Sequence, residues 1–418
     1  MFTFLKKMHS EEKLFFYEFI FLSLMIASLP SLEAPKNIFL ISFVSIATIR
    51  QLKNFKLHSW GAWDYFYSFF LAAAFLSSVF AGYGPGGEWG GFRVVLTYMI
   101  VGWLISRSTY TNQQILWLFW IVILGALPPL IWGLIQYLYL YTKPDLQLHS
   151  VGHVNHSAIY LTMIFGMCFG TLITLLRKGK VNYIIFLLFA YCFLLYISLM
   201  LSQSRAAFGM ASILGFLFLS IMPFMNKTKI FSMITFAIII TVTLSFNPAI
   251  FEKQKELQRT NDLLSRRDLV WNMPIEASRF YPILGIGMNN WKKITITELK
   301  NSVEKRGEIF DEKKYCLTVG HAHNLYLQAL LERGLLGFSS IILLAILWAK
   351  EIILSYKRKK STDLNNMTLY ASISTFLGIF GIGLVNSTLH HENAILALFI
   401  LGLHIMQNKN LKTRTLPN

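Results

Sequence analysis

Two histidines separated by one residue, His321 and His323, close the longest polar segment of the chain and stand directly before an apolar run long enough to cross a bilayer. Imidazole is the side chain that takes or releases a proton near neutral pH, and a boundary between water and lipid is a poor place for a purely structural histidine. Asn324 follows as a helix cap, and Leu325, Leu327, Leu330 and Leu331 give the helix one apolar face. Gly334 is expected to supply a tight turn before the next span. A helix N-terminus carries positive potential, which favours the neutral imidazole that a general base requires. His323 is therefore the candidate base and His321 its support.

Two arginines complete this set. Arg205 lies at the end of an apolar run, just before the next one returns, and Arg267 lies early in the long polar segment. An arginine at a membrane edge needs an anion or a route to the surface. Its planar fork suits phosphate oxygens better than the point charge of lysine. The plainer reading of both is anchoring to lipid headgroups.

Other candidates carry less. His149, His153, His156, His321, His323, His390 and His391 are expected on one side of the membrane, which raises the question of zinc. Neither His153-x-x-His156 nor His321-x-His323 has a carboxylate at ligand spacing, and no His-Glu-x-x-His helix occurs. His149, His390 and His391 read as interfacial side chains with an apolar body and a wet tip. The glycine-rich stretch 81–93 lacks the Lys-Ser/Thr of a phosphate-binding loop and reads as a flexible turn, with Arg93 within reach of a phosphate. The three cysteines, Cys168, Cys192 and Cys316, form neither a disulfide framework nor a thiolate metal site.

The elements that must position these residues are membrane helices. The 418 residues are 55% hydrophobic and only 14% charged, too few charges to cover a soluble surface. About twelve apolar runs can be delimited, the first at 14–32 and the last at 392–407; the tenth is placed at 334–355. The fifth, 114–140, contains Pro128-Pro129 and is expected to kink or break. The net charge of +17 does not point to nucleic acid, because lysine and arginine concentrate in alternate loops: twenty on one side against four in the short loops of the other. Both termini are thus expected in the cytoplasm, with residues 248–333 forming an external loop between spans nine and ten. Within it, Lys253 to Leu264 reads as a polar helix and Asp268 to Ser278 as a second, interrupted at Pro274. The expected whole, residues 1–418, is one all-α integral membrane domain among membrane lipids. A twelve-span transporter is the rival from another class; the late position of the loop and the scarcity of mid-span carboxylates, Glu18 excepted, argue against it.

These residues resemble the O-antigen ligase and polymerase superfamily of lipopolysaccharide biosynthesis. His323-Asn324, nine residues, then Gly334-x-x-Gly337 is similar to its signature. Ser265-Arg266-Arg267-x-x-x-Trp271 resembles its Ser-Gly-Arg-x-x-x-Trp element, and Gly285-Ile-Gly287-Met-Asn-Asn-Trp291 its Gly-x-Gly-x-x-x-aromatic element. Arg266 stands where the family has glycine, and Arg267 keeps the spacing to Trp271. His156 falls where relatives often have asparagine. The resemblance implies a GT-C-like polytopic fold in a bacterial inner membrane, with a periplasmic site that uses no metal, cofactor or nucleotide sugar. It implies an inverting glycosyltransferase moving a glycan from undecaprenyl diphosphate to lipid A-core, with His323 as base and Arg205 and Arg267 on the diphosphate. An O-antigen polymerase or an O-linked protein oligosaccharyltransferase of the same superfamily is the alternative.

Overall fold

A computed structural model describes residues 10–53, 60–148, 151, 153–177, 182–221, 225–245, 267–316, 320–358 and 362–415. Every regular element among them is helical. The chain opens with α1 (Ser10–Ser28), α2 (Glu33–Lys53), α3 (Ala62–Val79) and α4 (Glu88–Ser106). The apolar run at 114–140 is two helices, α5 (Asn112–Gly125) and α6 (Leu127–Leu138), because Pro128 and Pro129 sit in the first turn of α6, where their missing N–H groups are not needed. Then come α7 (Val154–Leu176), α8 (Tyr183–Leu201), α9 (Arg205–Ile221) and α10 (Asn226–Ser245). Two short helices, α11 (Arg267–Ala277) and α12 (Ile296–Glu304), precede the long α13 (Leu325–Tyr356), and α14 (Asp363–Phe376) and α15 (His391–Thr415) close the bundle.

Eight stretches among the described residues are long and apolar enough to cross a membrane: α4, α5 with α6, α7, α8, α10, α13, α14 with its continuation to Leu384, and α15. The protein is a polytopic helical membrane protein. Helices α7, α14 and α15 are its most buried members, and α7 packs on both α8 and α14 while α15 packs on α4. Polar groups inside the bundle meet one another. Glu18 accepts from Arg50 (2.5 and 3.0 Å), Ser108 (2.7 Å) and Tyr110 (2.7 Å), so the one mid-span carboxylate that suggested a transporter is fully engaged in tying α1 to α2.

Between α10 and α13 the described segment forms a cap with its own small core. Val270, Met273, Ala277, Ile286, Trp291, Ile294 and Leu299 pack together with Ala322 and Leu331, the last contributed by α13. Trp291 is buried there, which gives the aromatic at the end of the Gly285–Trp291 element a packing role. Helix α11 runs through Pro274 without the expected interruption, and Thr295 caps α12 in a reciprocal box with Glu298. The helix expected over Lys253 to Leu264 lies outside the described residues.

The cap is fixed to the bundle by backbone. Helix α13 does not begin at residue 334; it begins at Leu325 and breaks at Gly334, where φ is 60° and ψ −160°. The break frees carbonyls and amides that the Pro282–Gly287 segment takes up: Ile286 N–H donates to Leu331 O (3.0 Å), Gly287 N–H to Glu332 O (3.1 Å), Leu335 N–H to Pro282 O (2.7 Å) and Leu336 N–H to Ile283 O (3.2 Å). A Cβ at Gly334 would stand 2.4 Å from the backbone of Ile283, and one at Gly285 2.4 Å from that of Glu332. Two glycine elements far apart in sequence are thus one contact. Gly334→Ala, which meets both the left-handed backbone and the clash, is expected to destabilise the protein by about 1–3 kcal/mol. Gly209→Ala in α9, with open space around its Cβ, is expected to be neutral or mildly stabilising. Thermal unfolding in detergent checks the pair, and equal midpoints would sink the account.

Candidate active site

The first turn of α13 is set by Asn324, whose Oδ1 accepts from Tyr326 N–H (2.9 Å) and Leu327 N–H (3.0 Å) while its Nδ2 donates to Leu384 O (2.9 Å). Asn324 therefore caps the helix and pins it to the segment after α14. His323, one residue earlier, has φ of 46°, a left-handed backbone that a β-substituted residue adopts only when its surroundings impose it. The two anchors of Asn324, and an Ala322 N–H that donates to Gln328 Oε1 (2.7 Å), impose it.

The imidazoles of His321 and His323 lie 4.1 Å apart between centroids. Burial, then the charges of His321 and Arg267, hold the His323 pKa down to about 4, against the opposing influence of Asn386. The expectation of a neutral imidazole holds, but burial and neighbouring cations are the resolved causes. His321 is lowered by burial and by His153. The pKa of Arg267 is lowered by burial and then by the charge of Arg205. Electrostatics thus links Arg205 at the start of α9, Arg267 in α11 and His323 before α13. Gln203, with φ of 54°, makes the sharp turn that lets Arg205 open its helix.

Beside this cluster lies a cavity of about 530 Å³. His321, His156, Arg93, His390 and His391 line it, together with Gln328, Glu332 and Arg333 of α13. The structure thus gathers the sequence candidates into two adjoining groups that share His321. Gly334 breaks α13 and acts through backbone, whereas a Cβ at Gly337 would stand 2.2 Å from the Cβ of Arg333. Trp271 has a buried Nε1 without a partner among the described residues, and the ring of His156 stacks on that of His390 at 5.1 Å. Arg266 and His149 lie outside the described residues.

The glycine-rich turn at 81–93 is neither flexible filler nor a phosphate cradle. The carbonyls of Tyr83, Gly84 and Pro85 accept from Lys293 Nζ (3.2, 3.1 and 3.0 Å), an arrangement that suits a cation and repels a phosphate. Sequence reasoning passed over Arg333, Glu332, Gln328 and Asn386. For Arg333 the signal was present: a charged residue inside an apolar run marks a functional site by default. Among the described residues, no group of three or more His, Cys, Asp or Glu is arranged to hold a metal ion.

The protein is thus a polytopic helical membrane protein in which guanidinium and imidazole groups gather beside a small helical cap. Residues 190–342, a segment that holds Arg205, Arg267, His323, Gly334 and Gly337, match the family described as O-antigen ligase. The chain is an enzyme of the lipid-linked glycan transferase type. No curated protein matches it.

Because its folded pKa is depressed, His323 binds a proton in the unfolded chain near pH 6.5 but in the folded chain only near 4. The unfolded state therefore holds more protons across that window, and stability is full above it and declines as pH falls through it. His323→Gln is expected to flatten this decline in thermal unfolding between pH 7 and 4. An unchanged slope would place the titrating group elsewhere.

Proposed function

We propose that the protein is an O-antigen ligase, transferring a glycan from undecaprenyl diphosphate to lipid A-core on the periplasmic face of a bacterial inner membrane, with both termini in the cytoplasm. The observation that carries the reading is the link from His323 through Arg267 to Arg205, within the family-matched segment and beneath the cap. His323 takes the proton of the acceptor hydroxyl as its oxygen attacks the anomeric carbon. The bond from that carbon to the diphosphate oxygen breaks on the opposite face, so the configuration inverts, and the electron pair leaves with undecaprenyl diphosphate. Arg205 and Arg267 hold the diphosphate and stabilise its growing charge, each such contact contributing about 3–4 kcal/mol.

No carboxylic acid is needed to protonate the leaving group, because diphosphate departs as an anion that the guanidiniums already bind. His321, 4.1 Å from His323 and on the cavity wall, orients the base and faces the acceptor. Arg93 and His156 line the same cavity and support the acceptor. The pKa of about 4 describes His323 beside bare cations. A diphosphate seated on Arg267 offsets that charge and raises the basicity of the imidazole, so donor binding prepares the base.

Purified protein given undecaprenyl-diphosphate glycan and lipid A-core is expected to transfer glycan in the presence of EDTA. His323→Ala is expected to lose about 10²–10⁴-fold in rate, and Arg267→Lys to lose far more than Arg266→Lys. Chelator-sensitive transfer would sink the metal-free mechanism, and elongation of the donor glycan without lipid A-core would identify a polymerase. A larger loss from Arg266→Lys would exchange the roles of the two arginines. The acid limb of kcat is expected at higher pH than that of kcat/KM for the donor, since the first reports the donor-bound and the second the free enzyme; coincident limbs would remove the coupling between donor and base.

A further inference from the structure

Arg333 lies about 12 Å along α13 from its start, at roughly 1.5 Å per residue, and its side chain lines the 530 Å³ cavity while the residue as a whole is only 7% exposed. A guanidinium inside an apolar bundle is held there by something. Its carbon centre stands 5.3 Å from the centroid of the Phe70 ring, a cation–π contact that fixes the body of the side chain. Tyr98 hydrogen-bonds with the Arg333 side chain, and Glu332 is near enough to feel its charge. Its Nη1, however, is buried without a hydrogen-bond partner among the described residues. Glu332 does not neutralise it in an ion pair: consecutive helical residues do not face each other, and Glu332 Oε1 accepts instead from Asn289 N–H (3.0 Å) and Gln328 Nε2 (2.5 Å).

Arg93 of α4 lines the same cavity from another helix. The cavity wall carries two guanidiniums, Arg93 and Arg333, against one carboxylate, Glu332, that already accepts two hydrogen bonds. An arginine with an unpartnered buried donor on a cavity wall that also carries a second guanidinium describes a site for an oxyanion. The cavity takes its lining from α4, α13 and the segment before α15, and neither Arg205 nor Arg267 lines it. It is distinct from the cluster assigned to the donor diphosphate.

We propose that Arg333, with Arg93, forms a second oxyanion subsite that binds a phosphate group carried by the acceptor glycolipid, so that the acceptor is selected by its charge as well as by its hydroxyl. A tetrahedral phosphate suits this wall because it accepts hydrogen bonds from two directions at once, here from two helices. The identity of the acceptor rests on the function proposed above; the presence of an oxyanion site in this cavity does not.

Equilibrium binding to the full-length protein in detergent tests it with three probes: lipid A-core bearing its phosphates, the same glycolipid after phosphatase treatment, and undecaprenyl diphosphate. The wild type is expected to bind the phosphorylated acceptor about tenfold more tightly than the dephosphorylated one, the size of one charge-assisted hydrogen bond. Arg333→Gln is expected to bring that ratio near one, and Arg333→Lys to recover part of it; each variant's thermal midpoint shows whether it is folded. A wild type without the preference, or an Arg333→Gln protein that keeps it, overturns the subsite. Weakened binding of undecaprenyl diphosphate with an unchanged acceptor ratio assigns the oxyanion to the donor and overturns the proposal as stated. A wild type that shows the preference but transfers glycan to neither acceptor overturns the ligase reading and supports the subsite.

Discussion

The contact on which the site depends is made of backbone. Helix α13 breaks at Gly334, and the Pro282–Gly287 segment docks into the break through four amide-to-carbonyl hydrogen bonds. Each amide or carbonyl left open at such a break inside a bundle would be an unsatisfied polar group in an apolar medium. The cap supplies the missing partners, and in doing so it is placed. Because α11 belongs to the same small core as Ile286 and Leu331, positioning the segment also positions Arg267 relative to His323. Side chains could be exchanged at such an interface, but the approach is too close for any Cβ. That is why two separate glycine elements are needed at once, and why neither Gly334 nor Gly337 lines the cavity although both lie in the most recognisable stretch of the chain.

Much of this was legible in the sequence, and the reason differs from place to place. The apolar runs coincide with long helices because, in lipid, only a helix satisfies every backbone group from within one segment. The cap at Asn324 was readable because a side-chain oxygen ahead of an apolar repeat has one local job. What sequence could not supply were contacts between distant segments. A glycine calls for a special backbone or a close approach without naming its partner, so Gly334 was expected to turn the chain when it breaks a helix to receive the cap. Likewise the turn at 81–93 looked free until Lys293, some two hundred residues away, proved to sit on its carbonyls. Pro128 and Pro129 imply a kinked or broken helix from their chemistry alone, and the run is indeed two helices, with the prolines in the first turn of the second.

His323 shows how local and distant constraints combine. Its backbone is left-handed, an uncommon state for a β-substituted residue, and it is held there from both sides. Asn324 fixes the following turn to the helix and to Leu384, and Ala322 is tied to Gln328, whose amide in turn donates to Glu332. The imidazole is thus carried on a loop whose ends are both anchored to α13. A rigid mount of this kind suits a group that must meet a hydroxyl and an anomeric carbon within a narrow range of geometry.

The distribution of charge follows from what the proposed substrates bring with them. A site built for neutral sugars would need hydrogen-bonding partners of both signs; one built for two anionic lipids needs an excess of cations that stays apart until the ligands arrive. Arg205 is close enough for its charge to lower the pKa of Arg267, yet the two sit on different elements and belong to a different group from Arg93 and Arg333. In the proposed arrangement His321, which lies on the cavity wall with its ring tilted against that of His323, stands between the two groups. Cation pairs on either side would draw in the phosphates of donor and acceptor separately, leaving the uncharged hydroxyl and the anomeric carbon to face each other beside His323.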